Sequence, residues 1–359
     1  MPALDYESSV RLRLLNFPLI IGVVYIHAYG TSISFAGATL GVEQLDYLTD
    51  FIRILISQGI ARLSVPLFFL ISGYLFLSGT RWSMQVYGRK LAARVRTLLV
   101  PFLFWTVLGV AIRYLGQTIP AVKDYFVGSG PLVADYSPFT LVNAVLGLTS
   151  MPEAYHFWFI RDLMLLMVLS PLLIFILERF ALPFLAAVFL AWIMVEWPLA
   201  VPDAVGVLFF SAGCYLAMKE ISLFALDRYG RWFFLLYIPI LLADVIWYDK
   251  PFNMCLHRCG IVIGIVAVLS ATKLILGYGW LKDGIVWLSG ASFFVYAAHE
   301  PLLGLFRTVA FQVVPFDRPY AMLLTYLMLP LALIAFLVAL HSLLSVYAAR
   351  LLAIVTGGR

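Results

Sequence analysis

His27 stands inside an otherwise greasy stretch, RLRLLNFPLIIGVVYIHAYG from Arg11 to Gly30. Lipid offers an ionisable side chain no hydrogen-bond partner, so its presence there costs free energy and marks a functional candidate. Asn16 precedes it by eleven residues, three helical turns to within about 20°, so the two share a helix face roughly 16 Å apart. With Arg11 and Arg13 at the start of the stretch, the pattern is a polar line running from a basic end toward a histidine. Three arginines, Arg53, Arg62 and Arg161, also interrupt apolar runs; Arg53, near an end, can snorkel, whereas a central arginine costs about 2.5–3.5 kcal/mol unless it meets a partner or water. Arg161 is followed by Asp162, but neighbours on a helix do not face each other, so that pair is not expected to satisfy itself. In SFFVYAAHEPLL, His299 and Glu300 precede Pro301, a residue that frees a helix carbonyl, and an adjacent histidine and carboxylate there suit acid/base work. His156 and Trp158, in YHFWFIRDL, suit an interfacial aromatic belt. The basic run RKLAARVRTLLVP contributes Arg94 and Arg96, which together with Arg11 and Arg13 would suit a phosphorylated ligand.

The elements that must carry these groups are membrane helices. The 359 residues are 63% hydrophobic and 12% charged, against roughly 45–50% and 25% for soluble domains. A span needs about twenty apolar residues. Cutting at charged and Gly/Pro-rich breaks predicts an all-α integral membrane protein of about ten transmembrane helices, near 12–30, 52–79, 95–115, 156–177, 181–199, 203–218, 232–248, 259–277, 285–312 and 320–348. The short piece from Phe139 to Leu148 is expected at the interface. Residues 1–359 read as a single polytopic domain with no additional soluble domain. Ten spans put both termini on one side, and the Lys and Arg gathered there, among them Arg81, Arg89, Lys90, Lys219 and Arg359, make that side cytoplasmic. Glu43, Asp46, Asp50, Asp124, Asp135, Glu153, Glu196 and Asp203 then face outward. In the second span, Pro66 is expected to break the helix just after Arg62, and Ser72, Gly73 and Tyr74 to allow close helix approach.

Other chemistries lack their signatures. The net charge of +5 falls in short segments between apolar runs rather than on a basic and aromatic face, so nucleic acid is not expected. Three cysteines make no disulfide framework. His257 turns away from Cys255 and Cys259 on a helix, so no metal site is expected. No Gly-rich phosphate-cradling motif is present.

Together, VVYIHAY, LSVPLFFLISGYLF, RKLAARVRTLLVPFLFW, HFWFIRDL and SFFVYAAHEPLL, in this order and across the whole chain, resemble the acyltransferase 3 family of integral-membrane acyltransferases. The resemblance implies a protein of a bacterial cytoplasmic (inner) membrane that moves an acetyl group from cytoplasmic acetyl-CoA to a hydroxyl of a cell-surface or lipid-linked glycan, of exopolysaccharide or O-antigen type. It implies His27 as general base or acyl relay, with Arg62, His299 and Glu300 as further catalytic candidates. Arg11, Arg13, Asn16, Arg94 and Arg96 become candidates for the CoA side, and Tyr74, Trp158 and Arg161 for the acceptor. The family usually has an arginine where Asn16 stands, and Arg13 lies one turn earlier. The rival from another class is a transporter of an acylated or anionic small molecule, because intramembrane arginines and proline-broken helices also line substrate paths.

Overall fold

The computed structural model describes residues 4–35, 38–79, 81–120, 122–123, 126, 130–194, 197, 199, 201–318 and 320–358. Asp124, Glu196 and Arg359 lie outside the described residues. The chain is mostly helical, and among the described residues the only sheet is a two-stranded antiparallel hairpin, Ser32–Phe35 with Ala38–Gly41. Among the described residues, seven helices are long and apolar enough to cross a membrane: Tyr6–His27, Tyr47–Leu77, Met84–Thr118, Ser170–Met194, Asp227–Ile246, Asn253–Leu276 and Ala321–Tyr347. The 15-residue apolar helix Ala204–Met218 is shorter.

Three of the expected spans, 156–177, 181–199 and 285–312, take another form. The stretch 156–177 divides between Trp158–Val168 and the start of Ser170–Met194, and that helix passes with a kink at Phe180 through the break expected before 181. The stretch 285–312 divides between Gly279–Ser289 and Ser292–Val313. The short segment expected at the interface is the helix Pro138–Leu146, begun by the Ser137 side chain and ended by Gly147 in the left-handed conformation.

The chain forms two compact units. The first comprises residues 1–29, 50–92 and 165–292. Among its described residues the helices Ser64–Leu77 and Ala204–Met218 approach closely. A Cβ on Gly73 would strike the Phe210 carbonyl, and one on Gly213 would strike the Leu70 carbonyl, so reciprocal glycines let the two backbones touch. This is the close approach expected at Gly73, with its partner now identified. The first helix packs on the second through Gly22, beside Ala61 and Ser64, and through the Tyr25 carbonyl, which accepts from Ser57 at 2.5 Å. The second helix is irregular from Ile54 through Leu63, as a π turn followed by a 3-10 turn, and regular helix restarts at Ser64. Pro66 thus falls in a first turn, where its missing N–H costs little, and the irregularity ends one residue past Arg62.

The second unit comprises residues 30–49, 93–164 and 293–359. The helical stretches Val100–Thr118, Ser292–Val313 and Ala321–Tyr347, the turn Tyr155–Phe157 and the C-terminal helix Ala349–Thr356 supply its core around Phe102, Phe157, Leu303 and Leu333, all nearly or fully buried.

Candidate active site

The second unit holds a polar cluster next to a cavity. Pro301 has no N–H, so the carbonyl four residues earlier, Ala297, loses its helical donor. His156 Nε2 fills that place at 3.2 Å. In return the Tyr296 hydroxyl donates to the His156 carbonyl at 2.7 Å. A carbonyl can only accept, so the proton of His156 is assigned to Nε2 and its lone pair to Nδ1. His299 Nδ1 likewise lies 2.6 Å from the Tyr296 carbonyl, which assigns the lone pair to Nε2. The two imidazoles stand with ring centroids 5.0 Å apart, both nearly or fully buried. A neutral imidazole with its tautomer fixed by a backbone carbonyl is arranged as a proton acceptor.

Glu300 continues the cluster, its Oε1 accepting from the Tyr155 hydroxyl at 2.6 Å. Arg307, two turns further along the same helix, donates to the carbonyls of Gly30 at 2.7 Å and Ser32 at 3.3 Å, which ties the start of the hairpin to this helix. Next to Tyr155 and Glu300 opens a cavity of about 440 Å³, lined also by Trp105, Gly109, Arg113 and Glu153. Arg113 Nη1 lies 2.9 and 3.1 Å from the two oxygens of Glu153.

Arg161 overturns its expectation. Its Nε meets Asp162 Oδ1 at 2.8 Å, and its Nη1 donates to the carbonyls of Gly147 at 2.6 Å and Ser150 at 2.9 Å. The neighbour rule holds for side chains extended along a regular helix face. Here the arginine turns back onto the 147–150 loop, which brings Nε within reach of the next residue. His156, expected at an aromatic belt, is instead 3% exposed at the centre of the cluster. Trp158 opens the helix that follows it.

In the first unit, His27 is the last residue of the Tyr6–His27 helix and is half-buried. It lies about 140–160° around that helix from Gly22 and Tyr25, the positions that touch the second helix. Arg62 directs Nε and Nη2 onto Gln58 Oε1, at 2.8 and 2.5 Å, one turn back on its own helix. Arg53 pairs with Asp50, donates to the Tyr29 carbonyl at 3.0 Å and stacks over the Tyr29 ring at 3.8 Å. Tyr74 lies on the helix that meets Ala204–Met218, its backbone beside Gly213.

Arg11, expected among the phosphate-binding cations, is engaged within the first unit. Its guanidinium takes Asp227 in a fork at 2.5 and 2.9 Å, Thr272 Oγ1 at 2.8 Å and the Leu269 carbonyl at 2.9 Å, and stacks on Phe224 at 3.7 Å. Arg13 and Arg96 are exposed, and Arg94 and Asn16 half-buried. His257 meets Asp244 Oδ2 at 2.8 Å, which Asn253 also supports at 2.9 Å from Oδ1.

A family profile described as an acyltransferase domain matches residues 12–349. This chain belongs to the acyltransferase 3 family. It is also 28% identical to the succinoglycan biosynthesis protein ExoH of Rhizobium meliloti (strain 1021), over 99% of this chain and 94% of that protein. No solved structure matches the chain. The matched residues take in every cluster above except Arg11, which lies one position before the match begins.

Sequence reasoning missed Tyr155, Arg113, Glu153 and Arg307. For Tyr155 a signal existed, since it stands beside His156 at the head of a family motif. The ion pair Arg113 to Glu153 joins residues 40 apart, with no periodic signal to connect them.

Proposed function

We propose that this protein is a multi-pass O-acyltransferase that moves an acyl group, acetyl by preference, from acyl-CoA to a hydroxyl of a glycan. Membership of the acyltransferase 3 family and the similarity to a protein named for succinoglycan biosynthesis support the glycan as acceptor. The single observation that carries the chemistry is the buried pair His156 and His299 next to Glu300 and the cavity, because it combines a tautomer-fixed imidazole, a carboxylate and space for a substrate.

In the reaction, a base removes the proton of the acceptor hydroxyl as its oxygen attacks the thioester carbonyl. The tetrahedral intermediate collapses with cleavage of the C–S bond, and the CoA sulfur leaves as thiolate and takes up a proton. His27 remains the proposed base, or the carrier of a transient acyl group, on the strength of the family pattern in the first helix. His299 and Glu300 hold and deprotonate polar groups at their own end of the Ser292–Val313 helix. Arg13, Arg94 and Arg96 are the cations offered to the CoA phosphates, since Arg11 is bound to Asp227. The cytoplasmic, inner-membrane placement of the termini belongs to this proposal.

The test compares O-acyl content of surface polysaccharide in strains with and without the chain, alongside vesicles containing the purified protein. Loss of O-acyl groups in the strain and acyl transfer by the vesicles support the proposal. Solute uptake by the vesicles without acyl transfer would establish the transporter instead.

A further inference from the structure

We infer that the cavity beside Tyr155 and Glu300 is the acceptor subsite, that it takes an uncharged sugar ring, and that Gly109 limits the bulk of what enters. This rests on the O-acyltransferase reading and goes beyond it by assigning a place, a charge class and a size gate.

The volume of about 440 Å³ lies within the roughly 300–1,000 Å³ of small-molecule sites, where apolar walls carry a few placed polar groups. Trp105 and Phe126 supply aromatic wall. Trp105 is held in place by its Nε1–H, which donates to the Val355 carbonyl at 2.9 Å. A sugar ring matches such a wall, since its C–H face is apolar and its hydroxyls donate outward to carboxylates. The charges decide against the CoA nucleotide. Among the described lining residues two carboxylates, Glu153 and Glu300, face one guanidinium, Arg113, and that guanidinium already meets both oxygens of Glu153. A phosphate or a uronate would bring like charge to this wall without an uncommitted cation to receive it.

Gly109 lies on the Val100–Thr118 helix, lines the cavity and faces Ala154 of the 153–156 segment. A Cβ there would stand 3.5 Å from the Ala154 Cβ and 3.5 Å from its backbone nitrogen, an ordinary contact. Alanine therefore fits at this position and improves helix propensity, whereas a leucine must extend into the space that the glycine leaves.

The test uses the full chain in lipid nanodiscs free of sugar-headed detergent, with ligand binding followed by saturation-transfer NMR. The probes are cellobiose, cellobiouronic acid and coenzyme A. Cellobiose is expected to bind saturably and the uronate about fivefold more weakly, with coenzyme A displacing neither. Gly109→Ala is expected to weaken cellobiose about twofold and Gly109→Leu at least about tenfold. Gly284→Leu, at an exposed helical glycine with nothing within 4 Å of a Cβ, serves as the folding control and should bind as wild type does. No saturable cellobiose signal from the wild type, tighter uronate binding, displacement by coenzyme A, or unchanged affinity in a folded Gly109→Leu protein would each overturn the proposal. Binding as expected by a protein that never transfers labelled acetyl from acetyl-CoA would overturn the acyltransferase reading and leave the sugar site standing.

Discussion

The Tyr155 hydroxyl donates to Glu300 Oε1 at 2.6 Å, joining a short turn to a helix 145 positions later in the chain. Hydrogen bonds to charged groups contribute about 1.5–3 kcal/mol, and the partial exposure of Tyr155 brings this one nearer about 1 kcal/mol. Tyr155→Phe should lower acyl transfer about fivefold, and should cost less when Glu300 is already glutamine. Effects of the two substitutions that simply multiply would show that the contact is idle.

A second expectation follows from His156 and Pro301. His156→Phe leaves the Ala297 carbonyl buried and without its imidazole donor, which costs about 1–3 kcal/mol. Adding Pro301→Ala restores an N–H four residues beyond that carbonyl and should recover most of the loss. Thermal unfolding followed by size-exclusion chromatography measures both proteins, and a double variant no more stable than His156→Phe would show that the freed carbonyl is not what His156 serves.

Arg11 separates structure from donor binding. Removing one partner of a buried pair strands the other, at about 3–5 kcal/mol, so Arg11→Ala and Asp227→Ala should each yield far less folded protein. The folded fraction should keep the wild-type KM for acetyl-CoA. A selective rise in that KM with normal stability would return Arg11 to the phosphate site.

Asp5 gives a dependence on pH. It caps the first helix, and the Ser8 N–H at 2.7 Å and the Ser8 hydroxyl at 2.9 Å hold its carboxyl below the ordinary carboxylate value. A value lowered on folding stabilises above the ordinary carboxylate range, and the contribution is lost as pH falls through the folded-state value. Asp5→Ala should therefore speed amide exchange at Ser8 at pH 7, and the difference from wild type should shrink as pH falls below the ordinary carboxylate range and Asp5 takes up its proton. Equal exchange at pH 7 would show that the cap contributes nothing.

Much of the helical frame is legible in the sequence, because runs of apolar residues the length of a bilayer leave few alternatives. The first two spans, the small-residue contact at Gly73 and the disturbance around Arg62 all fall where residue type and spacing put them. His299, Glu300 and Pro301 are legible for a local reason, since a histidine, a carboxylate and a proline in succession interrupt one helix. The partners are not local. The carbonyl that Pro301 frees is used by His156, 141 positions away, and Arg11 finds Asp227 and Thr272 after 216 and 261 residues. Helical periodicity reports which face of a segment is apolar, and it has no term for which segment comes to that face. His156 therefore looks like a belt residue, and Arg11 like a free cation, until the chain is folded.

The most direct test of the central claim is transfer of labelled acetyl from acetyl-CoA to glycan by the protein in nanodiscs, wild type against His27→Ala, both shown to be folded. A general base contributes on the order of 10²–10⁴ in rate, and losing an acyl carrier removes its covalent route, so transfer by wild type and a fall of at least that size in His27→Ala is the predicted result. Transfer by His27→Ala at the wild-type rate would contradict it.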